Sequence, residues 1–160
     1  MLQKPDISAQ TLAQWRRAAR DGAVSAELEA IYAMLADQIA ARGPACWASG
    51  RCCNFDAAGH RLYVTGLEAA YAMTRLESTL TEAEIEAARA GGGCPFQREN
   101  LCGIHVIKPM GCRVYFCDAS AQQWQHDLSE RMLGMIRGLH ERHGIEYVYA
   151  EWRGLLAALV

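Results

Sequence analysis

The sequence predicts a small, mainly α domain: a helical scaffold that presents two cysteine-rich metal-binding loops, with at most short strands. Three observations point there. Apolar residues recur at helical spacing in several stretches, Gly and Pro punctuation ends these stretches beside cysteines, and 51% of the 160 residues are apolar, enough for a substantial core without covalent staples. No internal repeat or dividing linker is visible, so residues 1–160 are expected to form one domain.

Ser8 to Arg20 carries Leu12, Trp15 and Ala19 on one helical face and stops at Asp21-Gly22. A second helix is expected from near Ser25, with Leu28, Ile31, Tyr32, Leu35 and Ile39 on one face, ended by Gly43-Pro44. It delivers the chain to Cys46. After a short strand signal in "RLYV", Thr65-x-x-Glu68 and Thr81-x-x-Glu84 are capping-box patterns that open two further helices. The second of these runs into "AGGG", read as helix termination, immediately before Cys94. The longest amphipathic stretch, Ser120 to His143, places Trp124, Leu128, Met132, Met135, Ile136 and Leu139 together and has Gly144 as its C′ residue. "IEYVYAEWRGLLAALV" then suggests a brief strand and a terminal helix.

The formal charge is -2, with no stripe of Lys and Arg interleaved with aromatics, which argues against nucleic acid as a partner. No run approaches the roughly 18 apolar residues that a membrane span requires. The first twenty residues lack an apolar core of signal-peptide type, so the protein is expected in the cytoplasm, without a membrane partner. The partner is expected to be a protein or a small molecule.

Seven cysteines, Cys46, Cys52, Cys53, Cys94, Cys102, Cys112 and Cys117, fall in "CWASGRCC" and "CPFQRENLCGIHVIKPMGCRVYFC". In the reducing cytosol an odd number of clustered thiols points to metal ligation rather than disulfides. Isolated core cysteines would instead sit on amphipathic helices. The second segment has the spacing Cys-x7-Cys-x9-Cys-x4-Cys, in which only the last pair resembles a zinc knuckle. Cys94-Pro95 is also the kind of step that closes ligand runs in bacterial ferredoxins, and both features favour an iron–sulfur cluster, [4Fe-4S] first, over zinc. Neighbouring side chains point apart in an extended backbone, so Cys52 and Cys53 are not expected to share one small site, and one of them could be only a packed thiol.

His105 lies between two cysteines and is read as a hydrogen-bonded loop residue before a ligand. Arg51, Lys108 and Arg113 stand near thiols, where a cation stabilises the negative charge of a thiolate centre; Arg113, between Cys112 and apolar "VYF", is the strongest candidate for this cofactor-binding role.

The two cysteine segments resemble the YkgJ-type cysteine-cluster family, a zinc- or iron-chelating domain. The resemblance rests on "CWASGRCC", the CPF opening, the C-x-I-H segment, the K-P step and the closing CR-x-Y-x-C, between Cys46 and Cys117. It implies thiol ligands at Cys46, Cys52, Cys53, Cys94, Cys102, Cys112 and Cys117, in loops about 46–53 and 94–117. The first motif of that family is usually C-x2-C-x2-CC, and here Ser49 stands at the second cysteine. A hydroxyl is a poor ligand for a soft metal, so Ser49 would leave an open coordination position or mark a dispensable one. A flagellin lysine-N-methylase contains a similar region, which brings redox, oxidoreductase and methyl-transfer roles into view. A structural zinc module for partner binding is the non-enzymatic alternative.

Overall fold

The computed structural model describes residues 3–44, 53–116 and 118–160, and over these the chain is mainly helical, with eight α-helices and only short strands. Helix α1 (Ala9–Arg20) starts on Ser8, whose hydroxyl accepts the Thr11 N–H. Asp21 then serves two helices at once. Its N–H bonds back to Arg17 and Ala18, while its carboxylate accepts the Ala23 and Val24 N–H groups and opens α2 (Gly22–Arg42). This shared cap starts α2 a turn before Ser25, the expected start, because an acidic N-cap at the corner leaves no need for a linker.

A four-residue helix α3 (Phe55–Ala58) and strand β1 (Tyr63–Thr65) follow, then α4 (Gly66–Thr74) and α5 (Glu82–Ala90). Both expected capping boxes are complete, side chain to backbone in each direction. Strands β2 (Gln97–Arg98) and β3 (Leu101–Cys102) form a hairpin, and α6 (Met110–Arg113) is a single turn. After a 3-10 turn, Ala119–Ala121, the long helix α7 (Gln122–His143) ends on Gly144 in the left-handed region. Strand β4 (Tyr149–Glu151) leads into α8 (Trp152–Leu159).

Helix α4 lies at the centre, with Gly66 through Ala72 buried, packed between α1 and α8, while α2 packs on α7. Leu28, Leu35, Leu67, Leu128, Ile136, Leu139, Leu155 and Leu156 are all at 0% exposure, so any one cut to Ala would cost about 2–5 kcal/mol. Trp15, also fully buried, donates its indole N–H to the Glu146 carbonyl at 2.8 Å and ties α1 to the turn after α7. The expected strand at "RLYV" finds its partner far down the chain: β1 pairs antiparallel with β4, Val64 opposite Ala150. Trp152 N–H extends this ladder to Leu62 O at 2.9 Å and so brings the start of α8 to the cysteine segments.

Candidate metal centre

The path to the site begins at the end of α5. Gly92 N–H bonds to Arg89 O and Gly93 N–H to Ala88 O, at 3.0 and 2.9 Å, with Gly92 at φ +77°, which is a Schellman termination. A side chain at position 92 would fall 2.7 Å from the Asp56 carboxylate, so conformation and space both require glycine. "AGGG" therefore ends the helix as expected, and it also lets a second segment approach. Asp56 N–H bonds to Gly92 O and Cys94 N–H to Cys53 O, both at 2.9 Å, so the last cysteine of the first segment is paired through its backbone with the first cysteine of the second.

Cys94 and Cys102 are joined by the hairpin. Glu99 and Asn100 take φ values of 50° and 65°, the two left-handed residues of a tight two-residue turn. Gln97 then stands opposite Cys102, and Gly103 N–H closes on Phe96 O at 2.8 Å. A Cβ at position 103 would lie 2.7 Å from that same carbonyl oxygen. The hairpin thus returns Cys102 to Cys94 across a turn that the sequence reading did not anticipate, because Glu-Asn is not a usual turn pair.

The Cys53 thiol lies within hydrogen-bonding reach of the thiols of both Cys94 and Cys102, and its single S–H can serve one of them at a time. Cys94 also accepts the N–H of Phe96, two residues on, and the indole N–H of Trp152 at 3.4 Å. Cys102 accepts the N–H of Ile104, again two residues on. These donors act on acidity. The Cys53 hydrogen bond, joined by the Ile104 amide and the charges of Lys108 and Arg113, brings the Cys102 thiol down to about 6 against a burial that pushes it up. Cys94 is lowered for the same first reason, with the Phe96 amide and the Trp152 indole assisting and burial opposing. Donors aimed at sulfur favour the thiolate, which is the form that ligates metal.

Cys112 sits on α6, half-buried against the core, with its N–H on Pro109 O at 3.1 Å. Among the described residues no group of three His, Cys, Asp or Glu is by itself arranged to hold a metal ion. Cys46, Cys52 and Cys117, with Ser49 and Arg51, lie outside the described residues. Soft sulfur donors already oriented by amide N–H groups fit a thiolate-bound metal, and the expected ligand set is completed only with those three further thiols.

His105 is exposed and lies 3.1 Å from Lys108 Nζ through its Nδ1, and the Lys108 charge lowers its pKa, in keeping with a hydrogen-bonded loop residue. Arg113 donates Nε–H to Lys108 O and Nη2–H to Val106 O, both at 2.8 Å, and lays its guanidinium 3.9 Å above the Tyr32 ring. Its charge reaches Cys102, but its hydrogen bonds go to backbone. Sequence reasoning missed Trp152 and Arg153, which donate to Cys94 Sγ and to Gly93 O from almost sixty residues downstream. No local pattern marks them. A cleft of about 440 Å³ adjoins the site, and Leu76, Phe96, Cys102 and Ile107 are among the residues that line it.

No helix of the described residues is long and apolar enough to cross a membrane. Neither a curated protein nor a solved structure matches the chain. A family model, CxxCxxCC, described as "Putative zinc- or iron-chelating domain", matches residues 45–130, a span that contains all seven cysteines and agrees with the resemblance read from the two segments. That span is more than half of the chain, and its thiol chemistry is the one built above: the protein belongs to the CxxCxxCC family of zinc- or iron-chelating domains.

Proposed function

We propose that this metal-binding protein holds an iron–sulfur cluster, of the [4Fe-4S] type, through the cysteines of its two segments, and that it works in redox or modification chemistry in the cytoplasm. The observation that carries the reading is the meeting of Cys53, Cys94 and Cys102, two of them with a backbone N–H on sulfur from the residue two positions on. Such amide–sulfur bonds offset the charge of a polythiolate centre. The long, irregular spacings and the number of thiols favour a cluster over a single four-coordinate zinc.

In this reading Cys53, Cys94 and Cys102 supply three of the four thiolates that a [4Fe-4S] cluster takes, and the fourth comes from Cys46, Cys112 or Cys117. Trp152, fully buried, gives its indole N–H to Cys94, and Arg113 and Lys108 place positive charge near Cys102. When bound, the cluster would supply one-electron transfer. The cleft at Cys102 gives a second reading, an enzyme acting on a substrate beside the metal, a specific place to look.

Anaerobic purification followed by iron, zinc and acid-labile sulfide analysis on one sample tests the proposal. Equal iron and sulfide with a broad visible band are expected, and Cys94→Ser and Cys102→Ser should each lose the band. A colourless protein with stoichiometric zinc and no sulfide overturns it and leaves the structural zinc module.

A further inference from the structure

The capping boxes Thr65–Glu68 and Thr81–Glu84 have the same local chemistry and opposite surroundings. Glu84 is exposed, whereas Glu68 is only 1% exposed. One oxygen of Glu68, Oε2, does the capping, accepting Thr65 N–H at 3.2 Å and Thr65 Oγ1–H at 2.9 Å. The cap needs no more. The other oxygen, Oε1, accepts the Tyr32 hydroxyl at 2.9 Å and the Met110 N–H at 2.7 Å. Burying a carboxylate is costly unless its oxygens are satisfied, and here four donors from three parts of the chain satisfy it.

Met110 opens α6, two residues before Cys112. Arg113 closes the same turn, its guanidinium resting on the Tyr32 ring and its N–H groups holding the Val106 and Lys108 carbonyls. The contacts form a circuit from Glu68 to Met110, through α6 to Arg113, onto Tyr32 and back to Glu68. The segment between Cys102 and Cys112 is pinned to this circuit near its middle and at its end.

We propose that Glu68 is a positioning residue for the metal centre: its inner oxygen fixes α6, and with it Cys112, relative to the segment that carries Cys102. The inference rests on the metal-binding reading above for its purpose, but not for its geometry. Thiols held in place before metal arrives bind without reorganising the chain.

Glu68→Gln tests this, because one amide oxygen cannot serve four donors, and Glu84→Gln is the control, the same cap without a link to α6. Two quantities are read on the full chain: the rate at which EDTA removes the native metal, and the rate at which iodoacetamide alkylates Cys112, mapped by mass spectrometry. Glu68→Gln should speed metal loss by about tenfold or more and raise Cys112 alkylation, while Glu84→Gln leaves both near wild type. Equal behaviour of the two variants overturns the inference. Should Glu68→Gln fail to fold, Tyr32→Phe removes one donor to Oε1 and keeps the ring; faster Cys112 alkylation supports the inference, and an unchanged rate overturns it. A wild-type chain that holds no metal defeats the metal reading alone, and the alkylation comparison then decides the role of Glu68 by itself.

Discussion

The indole N–H of Trp152 points at Cys94 Sγ, 3.4 Å away, from the first residue of α8. Trp152 is fully buried and packs against Phe96 with ring centroids 5.9 Å apart, so the hydrogen bond and the core contact are made by one side chain. Trp152→Phe separates them. It keeps an aromatic ring and removes the donor, and the lost volume should cost about 1–3 kcal/mol in denaturant titration. A donor on sulfur stabilises the reduced, more negative state of a cluster. The reduction potential of the loaded protein should therefore fall in the variant, measured by optical redox titration. An unmoved potential would reduce the Trp152 contact to packing.

Gly103 should not tolerate a side chain. A methyl group there meets the Phe96 carbonyl oxygen at 2.7 Å, and because both partners are backbone the hairpin itself must open. Gly103→Ala is expected to lose about 1–3 kcal/mol and to weaken metal retention, since Cys102 is returned to Cys94 by this hairpin. Gly134 provides the opposite sign. It lies inside α7 with nothing within 4 Å of an added Cβ, so Gly134→Ala should gain about 1 kcal/mol and leave the metal untouched. Urea melts of both variants, with metal content beside them, check the pair.

What was legible in the sequence follows the range over which each residue acts. Ser8, Thr65, Thr81, Gly91 and Gly144 act within one helical turn, and each bounds a helix where its chemistry predicts. Apolar periodicity likewise placed Trp15, Leu28 and Leu128 in the core, because the face of a helix is set by nearest neighbours. The pairing of β1 with β4 spans more than eighty residues, and the β2–β3 turn uses an unusual pair, so neither left a signal. Glu68 was half legible: the spacing to Thr65 predicted the cap, while Met110, 42 residues on, is found only by folding. For the centre, the sequence named the thiol chemistry, and the structure supplied the contact between Cys53, Cys94 and Cys102, which spacing cannot determine.

His140 should make the fold sensitive to mild acid. It is 1% exposed, its Nδ1 faces the Ile145 and Glu146 carbonyls at 3.3 and 3.2 Å, and its Nε2 has no partner. Burial lowers its pKa below the ordinary 6.5, with the two carbonyls opposing. The unfolded chain therefore takes up the proton first as pH falls. Stability is full above about 6.5 and declines below it until the folded value is reached. Tyr147, edge-on to the imidazole at 5.1 Å and covered by the Arg137 guanidinium, offers the imidazolium no carboxylate. The thermal midpoint should drop between about pH 7.5 and 5.5, and His140→Phe should flatten that drop. An equal slope in the variant would assign the pH dependence elsewhere.

Arg113 can serve the centre by its charge or by its shape, and the contacts favour shape. Its planar fork reaches two carbonyl oxygens at once while its face lies on Tyr32, a combination that a single ammonium cannot reproduce. Lysine at 113 keeps the charge near Cys102 and gives up the clamp. If charge were the whole contribution, Arg113→Lys would match wild type and only Arg113→Ala would fail. If the clamp dominates, both variants lose about 1–2 kcal/mol in urea melts and shed metal faster to a chelator. The second outcome is expected, because each N–H that Arg113 withdraws leaves a carbonyl of the 106–108 turn without its donor, and that turn connects the two cysteines, Cys102 and Cys112, whose separation the site depends on.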